Sequence, residues 1–260
     1  MSPREEPNYF SMSVNNNLIF LGKITDKKEY LNIFKDVKDE IAIGEATPSY
    51  LWDPQAPKLI HSVVPSAKII ILLRDPIERA YSHFLKEVSS GYTTHPFSDA
   101  IKRALKAPPD YSGRVVECGL YYEQVKRYLD IFGKDQVKII ISEEFFADTR
   151  KTVQDVLKFL GVDLEAPTSL EKISSPTREP RGKISEKIIK SNIMRKIGRK
   201  IILKSTAPTV IAVLGKKIKK PLMQDEAKKL LEEIYKDDIK KLENLLGRSL
   251  PWDIAKKSAE

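Results

Sequence analysis

One cysteine, Cys118, stands alone in 260 residues, so no disulfide can close within the chain. No apolar run reaches the roughly 20 residues that a membrane-spanning helix needs. The opening stretch MSPREEPNYF lacks the apolar centre of a secretory leader. These absences lead to the expectation of a reducing, cytoplasmic setting. Histidine is scarce too: His61, His83 and His95 are all there is, and none has a partner at metal-ligand spacing. They read as core or surface side chains, and no metal is expected. No internal repeat occurs, which excludes solenoids and propellers.

What is present is a 41% apolar, 31% charged chain with a formal charge of +9. The apolar share suffices for a packed core, and the charge suggests an anionic partner. That charge is concentrated. Arg181 to Lys220 holds thirteen Lys or Arg side chains and one acid, Glu186, so the rest is slightly acidic. The expected organisation is a single domain over 1–260, with an α/β core over 1–175 and a basic, helical part over 176–260.

The opening residues read as irregular, with Pro3, Pro7 and the run Asn15 to Asn17. Asp26 is placed to cap a helix over Lys27 to Val37. Glu40 to Gly44 (EIAIG) reads as a short strand, followed by a loop at Glu45 to Tyr50 because Thr47 precedes Pro48. Pro57 to Val64 reads as a helix. Lys68 to Leu73 (KIIILL) is the clearest strand: continuously apolar, as expected where helices cover both faces. A helix then starts with Asp75 as N-cap, Pro76 at the first position and Glu78 completing a capping box, and ends near Ser89. Further helices are expected over Phe97 to Lys106, Leu120 to Phe132, from Asp148 or Thr149 to Leu160, and Asp225 to Leu246. Val137 to Ile141 (VKIII) is another strand. Strands alternating with helices imply a parallel sheet in an α/β fold. No strand signal is seen beyond Asp163.

Arg74 sits where the KIIILL strand ends, at the sheet edge that binds ligands in open α/β folds. The following helix is expected to offer free backbone N–H groups and a partial positive charge. Ser82 adds a hydroxyl two turns in. An arginine suits phosphate because its planar guanidinium donates in a fixed fork. On these residues alone, a donor site and a plain ion pair at Arg74 stand level.

ILLRDPIERAYSHF (Ile71 to Phe84) resembles the 3′-phosphate-binding element of sulfotransferases that use 3′-phosphoadenosine 5′-phosphosulfate (PAPS). GEATPSYLWDP (Gly44 to Pro54), GLYYEQVKRYLDIFGKDQVKIIISEEFFADT (Gly119 to Thr149), FLGVD (Phe159 to Asp163) and IKKLENLLGRSLPWD (Ile239 to Asp253) are similar to other segments of that family, in the expected order. The likeness is greatest to bacterial and heparan-sulfate-type carbohydrate sulfotransferases. It implies a three-layer fold of the P-loop type, with a mostly parallel sheet flanked by helices. It also implies PAPS as donor, a glycan, glycolipid or small-molecule acceptor, and no metal. Arg74 and Ser82 would hold the 3′-phosphate. Arg181, Gly182 and Lys183 resemble the late basic loop that closes over the donor. EEPNYFS (Glu5 to Ser11) is similar to a segment whose glutamate, here Glu6, is the base for the acceptor hydroxyl.

Two features depart from the pattern. Ala46 stands where heparan-type members often have lysine, and the family's first strand and Gly-Lys-Thr-type loop, which grip the 5′-phosphosulfate, do not occur in this sequence. A catalytically defective nucleotide- or membrane-binding relative is therefore one alternative. A P-loop-type small-molecule kinase is the second, although no Walker loop is visible. Ile184 to Lys204 reads as a basic helix; Lys187, Lys190, Arg195 and Arg199 suit a solvated face or an anionic glycan or lipid surface, so the protein would be peripheral to the membrane. Few aromatics interleave with those charges, which argues against nucleic acid.

Overall fold

A computed structural model describes residues 2–12, 23–89, 93–106, 114–164, 221–252 and 254, together with the backbone of 178–180 and 215–217. The basic helix expected over 184–204 lies outside these residues. The chain divides into two compact units. One holds Met1–Asp75, Leu120–Glu171 and Lys236–Glu260; the other holds Pro76–Gly119 and Lys172–Tyr235.

The first unit is built on β1 (Ile69–Leu73) and β2 (Val137–Ile141). They pair in parallel, from Ile69 opposite Val137 to Leu73 opposite Ile141. Gln136 ties the entry to the sheet, donating from Nε2 to the carbonyls of Pro65 (2.9 Å) and Ala67 (3.0 Å). Side chains alternate between faces along a strand, so one face presents Ile71, Leu73, Val137 and Ile141, all buried. Helix α7 (Tyr121–Phe132) packs on β2 and on the short helices α2 (Ser49–Trp52) and α3 (Ala56–Val63). It places Tyr121, Val125, Tyr128 and Phe132 inward, as their helical spacing demands. Tyr128 Oη donates to the Tyr50 carbonyl at 2.9 Å, which satisfies a buried hydroxyl.

The other face differs from the expectation of full cover. Ile70 is 42% and Leu72 57% exposed. Helix α9 (Thr149–Leu160) packs on β2 there, and its Phe159 ring lies beneath the ammonium groups of Lys68 and Lys138. The EIAIG segment is not a strand; Ile41 and Ile43 are exposed, and no neighbouring backbone offers it a ladder among the described residues. Helix α8 (Ser142–Ala147) fills the turn after β2, where the sequence shows no separate helix signal.

Helix ends follow local chemistry closely. Asp26 caps α1 (Lys27–Asn32) by accepting from Glu29 N–H at 2.8 Å, although α1 is shorter than its apolar pattern suggested. Asp148 caps α9 on Lys151 N–H, and Gly161 ends it at φ 76°, a left-handed position that suits glycine.

In the second unit, α4 (Pro76–Ser89), α5 (Phe97–Ala104) and α6 (Arg114–Glu117) pack together around Tyr81, Phe84, Phe97, Ile101 and Val115. Phe84 stacks on Phe97 with centroids 4.7 Å apart. Gly119 is required by packing, because a Cβ there would lie 2.6 Å from Tyr235 Oη. Two short antiparallel strands, β3 (Arg178–Pro180) and β4 (Gly215–Lys217), correct the expectation of no strand beyond Asp163. Each is three residues of charge, glycine or proline, so no apolar alternation announces it. The long helix α10 (Asp225–Leu246) buries Ala227, Leu231, Tyr235, Ile239 and Leu242.

Candidate functional site

Arg74 directly follows β1 and is half-buried, at the carboxyl edge of the parallel pair. Both polar groups of the Arg74–Asp75 peptide are engaged. The Arg74 carbonyl accepts from Tyr121 Oη at 3.1 Å, and the Asp75 N–H donates to Glu143 Oε1 at 2.9 Å. Pro76, at the start of α4, has no N–H to offer. The Asp75 N–H, which precedes the helix, is thus taken by a carboxylate from the start of α8 (Ser142–Ala147). What the turn presents is the Arg74 side chain. Ser82 lies on the second turn of α4, half-buried, in the second unit.

Glu6 is exposed, but its segment is firmly held. Glu6 (φ 46°) and Asn8 (φ 54°) both adopt left-handed backbone, which costs about 1–2 kcal/mol each for residues with a Cβ. The loop expected over Glu45 to Tyr50 ends at Pro48, because Ser49 and Tyr50 open α2, and hydrogen bonds to this Glu45–Tyr50 segment keep Glu6 and Asn8 there. Asn8 Oδ1 accepts from Ser49 Oγ at 2.6 Å, and Asn8 Nδ2 donates to the Glu6 carbonyl at 2.6 Å. Ser49 and Ser11 hydroxyls meet at 2.6 Å, and Phe10 N–H donates to Tyr50 Oη at 3.3 Å. Glu45 is the hub: its carboxylate accepts from Thr47 Oγ1 (2.7 Å), Tyr50 Oη (2.8 Å) and Tyr30 Oη (3.2 Å). Burial, reinforced by the Glu45 charge, pushes both tyrosines well above the usual phenol range, so they remain donors. The Tyr9 ring stacks on Tyr30 at 4.3 Å.

Arg181, Gly182 and Lys183 lie outside the described residues. The strand that immediately precedes them, β3, runs beside α4. In the second unit, His83 is half-buried on α4, and desolvation there pushes its pKa down to about 4. Burial pushes the Cys118 thiol up to about 11. No group of three or more His, Cys, Asp or Glu side chains gathers as a metal site among the described residues.

Sequence reasoning missed Tyr121, Glu143 and Trp252 as neighbours of the Arg74 turn. The usable signal was the acid two residues beyond β2, since in a parallel pair the ends of adjacent strands meet at one edge. Glu45 was visible within the GEATPSY segment, but nothing in the sequence showed how many hydroxyls it gathers.

Parallel strands with helices packed on them, and an arginine at their carboxyl edge, define an α/β protein of the class whose ligand sites lie at that edge. The model of the sulfotransferase domain matches residues 53–245, and the chain belongs to that family. Carbohydrate sulfotransferase 15 of Mus musculus is 28% identical over 177 residues, 55% of this chain and 31% of that protein. The bifunctional heparan sulfate N-deacetylase/N-sulfotransferase 4 of Mus musculus is 28% identical over 216 residues, 80% of this chain and 23% of that one. The chain thus spans about a third or less of these curated relatives. A sulfotransferase from Alicyclobacillus acidocaldarius superposes with a TM-score of 0.71 at 25% identity, over 96% of this chain and 85% of that structure. The P-loop-like fold implied by the sequence resemblance agrees with this neighbour.

Proposed function

We propose that the chain transfers a sulfuryl group from PAPS to a hydroxyl or amine of a carbohydrate-containing acceptor. The observation that carries this reading is the Arg74 turn. A fixed arginine at the ligand-binding edge of a parallel sheet, in a chain of the sulfotransferase family, is suited to a nucleotide phosphate. Arg74 and Ser82 hold the 3′-phosphate, and Arg181, Gly182 and Lys183 close over the donor. Glu6 takes the proton from the acceptor as its oxygen or nitrogen attacks sulfur. The bond from sulfur to the bridging phosphate oxygen breaks in line, and 3′-phosphoadenosine 5′-phosphate leaves. Glu6 is exposed and therefore reachable by an acceptor, and the left-handed turn around it holds its backbone in one place. The relatives' names support a glycan acceptor. No metal takes part. A cytoplasmic location with contact to an anionic membrane surface through residues 184–204 belongs to the same proposal, and rests on the lone Cys118 and the basic run.

The test is an acceptor screen with sulfur-labelled PAPS against desulfated glycosaminoglycans, simple glycosides and glycolipids. Label is expected on a glycan, with stoichiometric 3′-phosphoadenosine 5′-phosphate. Binding of that nucleotide without transfer to any acceptor would favour a nucleotide-binding relative that is no longer catalytic. Phosphate transfer from ATP in place of sulfuryl transfer would favour the kinase.

A further inference from the structure

We propose that Tyr121, Glu143 and Trp252 are positioning residues for the donor: they clamp the Arg74–Asp75 peptide and so aim the Arg74 guanidinium at the 3′-phosphate. The proposal rests on the donor reading above. Its observation is different: a single peptide at the end of β1 is gripped at both ends from remote parts of the chain. Tyr121, the first residue of α7, donates to the carbonyl, and Glu143, at the start of α8, accepts from the N–H. The second Glu143 oxygen accepts from Trp252 Nε1–H at 3.1 Å. The Tyr121 and Trp252 rings lie 6.0 Å apart and are 2% and 1% exposed. Trp252 is itself placed by the segment that leaves α10. Leu250 N–H donates to Glu243 Oε1 at 2.7 Å, and Arg248 Nη1 pairs with Glu144 at 2.8 and 3.0 Å.

A residue just beyond a strand has lost the ladder that fixes its backbone. Here the ladder is replaced by side chains. With carbonyl and N–H both engaged, the peptide plane cannot turn without breaking two hydrogen bonds. The long arginine then starts from a fixed Cα–Cβ direction, which lowers the ordering cost of binding. The Asp75 N–H is already taken by Glu143, so at this peptide a ligand would meet the Arg74 side chain. Trp252 suits its place because an indole N–H only donates, and so holds the carboxylate in one orientation.

The experiment is calorimetric titration of the full chain with 3′-phosphoadenosine 5′-phosphate and, separately, with adenosine 5′-phosphate. The readout is the preference for the nucleotide carrying the 3′-phosphate. Trp252→Phe keeps the ring and removes the donor; Glu143→Gln keeps the shape and removes the charge. Each is expected to lower the preference about tenfold and leave adenosine 5′-phosphate affinity unchanged, the scale of one hydrogen bond to a charged group. Equal loss for both nucleotides would show a packing role and overturn the proposal, as would an unchanged preference. Arg74→Ala separates the two layers. If it abolishes the preference while Trp252→Phe and Glu143→Gln do not, the clamp is wrong and the donor reading stands. If the unaltered chain shows no preference, the donor reading falls and the clamp with it.

Discussion

The Glu6–Ser11 stretch and the Arg74–Asp75 turn carry the candidate chemistry and are immobilised by opposite means. The first is strained and locally tied: two left-handed residues are held by hydroxyls and a carboxylate drawn from Tyr30 and the Glu45–Tyr50 segment. The second shows no positive φ and is tied from afar, by Tyr121, Glu143 and Trp252. An acid that must meet changing acceptors is presented on an exposed bend. An arginine that must meet one constant phosphate is set at the end of a strand, in a clamp of aromatic rings. The difference predicts that damage to the first stretch reaches the rate of transfer, and damage to the second reaches donor affinity.

The largest expected effect on donor binding breaks the second stretch. Arg74→Ala should weaken binding of 3′-phosphoadenosine 5′-phosphate about 100- to 1,000-fold, the scale of truncating one partner of a desolvated charge pair. Arg74→Lys should recover only part of it, since an ammonium lacks the planar fork. Titration calorimetry on the three proteins checks both.

A control from the second unit concerns stability alone. Desolvation, chiefly, with Arg79 and Lys86 nearby, outweighs Glu87 at 3.6 Å and lowers the His83 pKa from 6.5 to about 4. Between those values the unfolded chain takes up a proton that the folded one refuses. Stability is therefore full above pH 6.5 and is lost as the pH falls toward 4, by on the order of 3 kcal/mol in all. Urea midpoints measured from pH 4 to 7 should show this slope, and His83→Leu should flatten it without changing donor affinity.

Glu45→Gln sharpens the first stretch. It leaves a neutral acceptor for three hydroxyls and should lower the transfer rate by about tenfold, at unchanged donor affinity. Amide exchange at Phe10 should quicken in the same variant, because its partner Tyr50 is released from Glu45. The smallest effect is expected from Arg248→Ala. Its ion pair with Glu144 is half-exposed, so it contributes less than about 1 kcal/mol, and Trp252 keeps its own bond to Glu143.

Local rules made much of the fold legible. The capping by Asp26 and Asp148, the glycine ends at Gly133 and Gly161, the KIIILL and VKIII runs and the helical spacing of Tyr121 to Phe132 each act over a few residues, and the structure follows them. Features that depend on partners were not legible. Ile41 and Ile43 alternate like a strand but find no ladder partner among the described residues, and Ile70 and Leu72 are apolar yet exposed. The Arg74 turn could be read as a phosphate site from motif and position. The engagement of its amide by Glu143 could not, because it is set by the register of two strands 68 residues apart in sequence. The left-handed turn at Glu6 and Asn8 was hidden for a related reason. Neither residue announces positive φ, and the hydroxyls that hold it lie about 40 residues on.

The central claim is that the two stretches divide the work, and steady-state transfer from PAPS by the Glu6→Gln variant tests it most directly. The account predicts a kcat lower by about 10²- to 10⁴-fold, the usual range for a lost general base, with the KM for PAPS unchanged. An unchanged kcat, or a loss that appears as weakened donor binding, would contradict it.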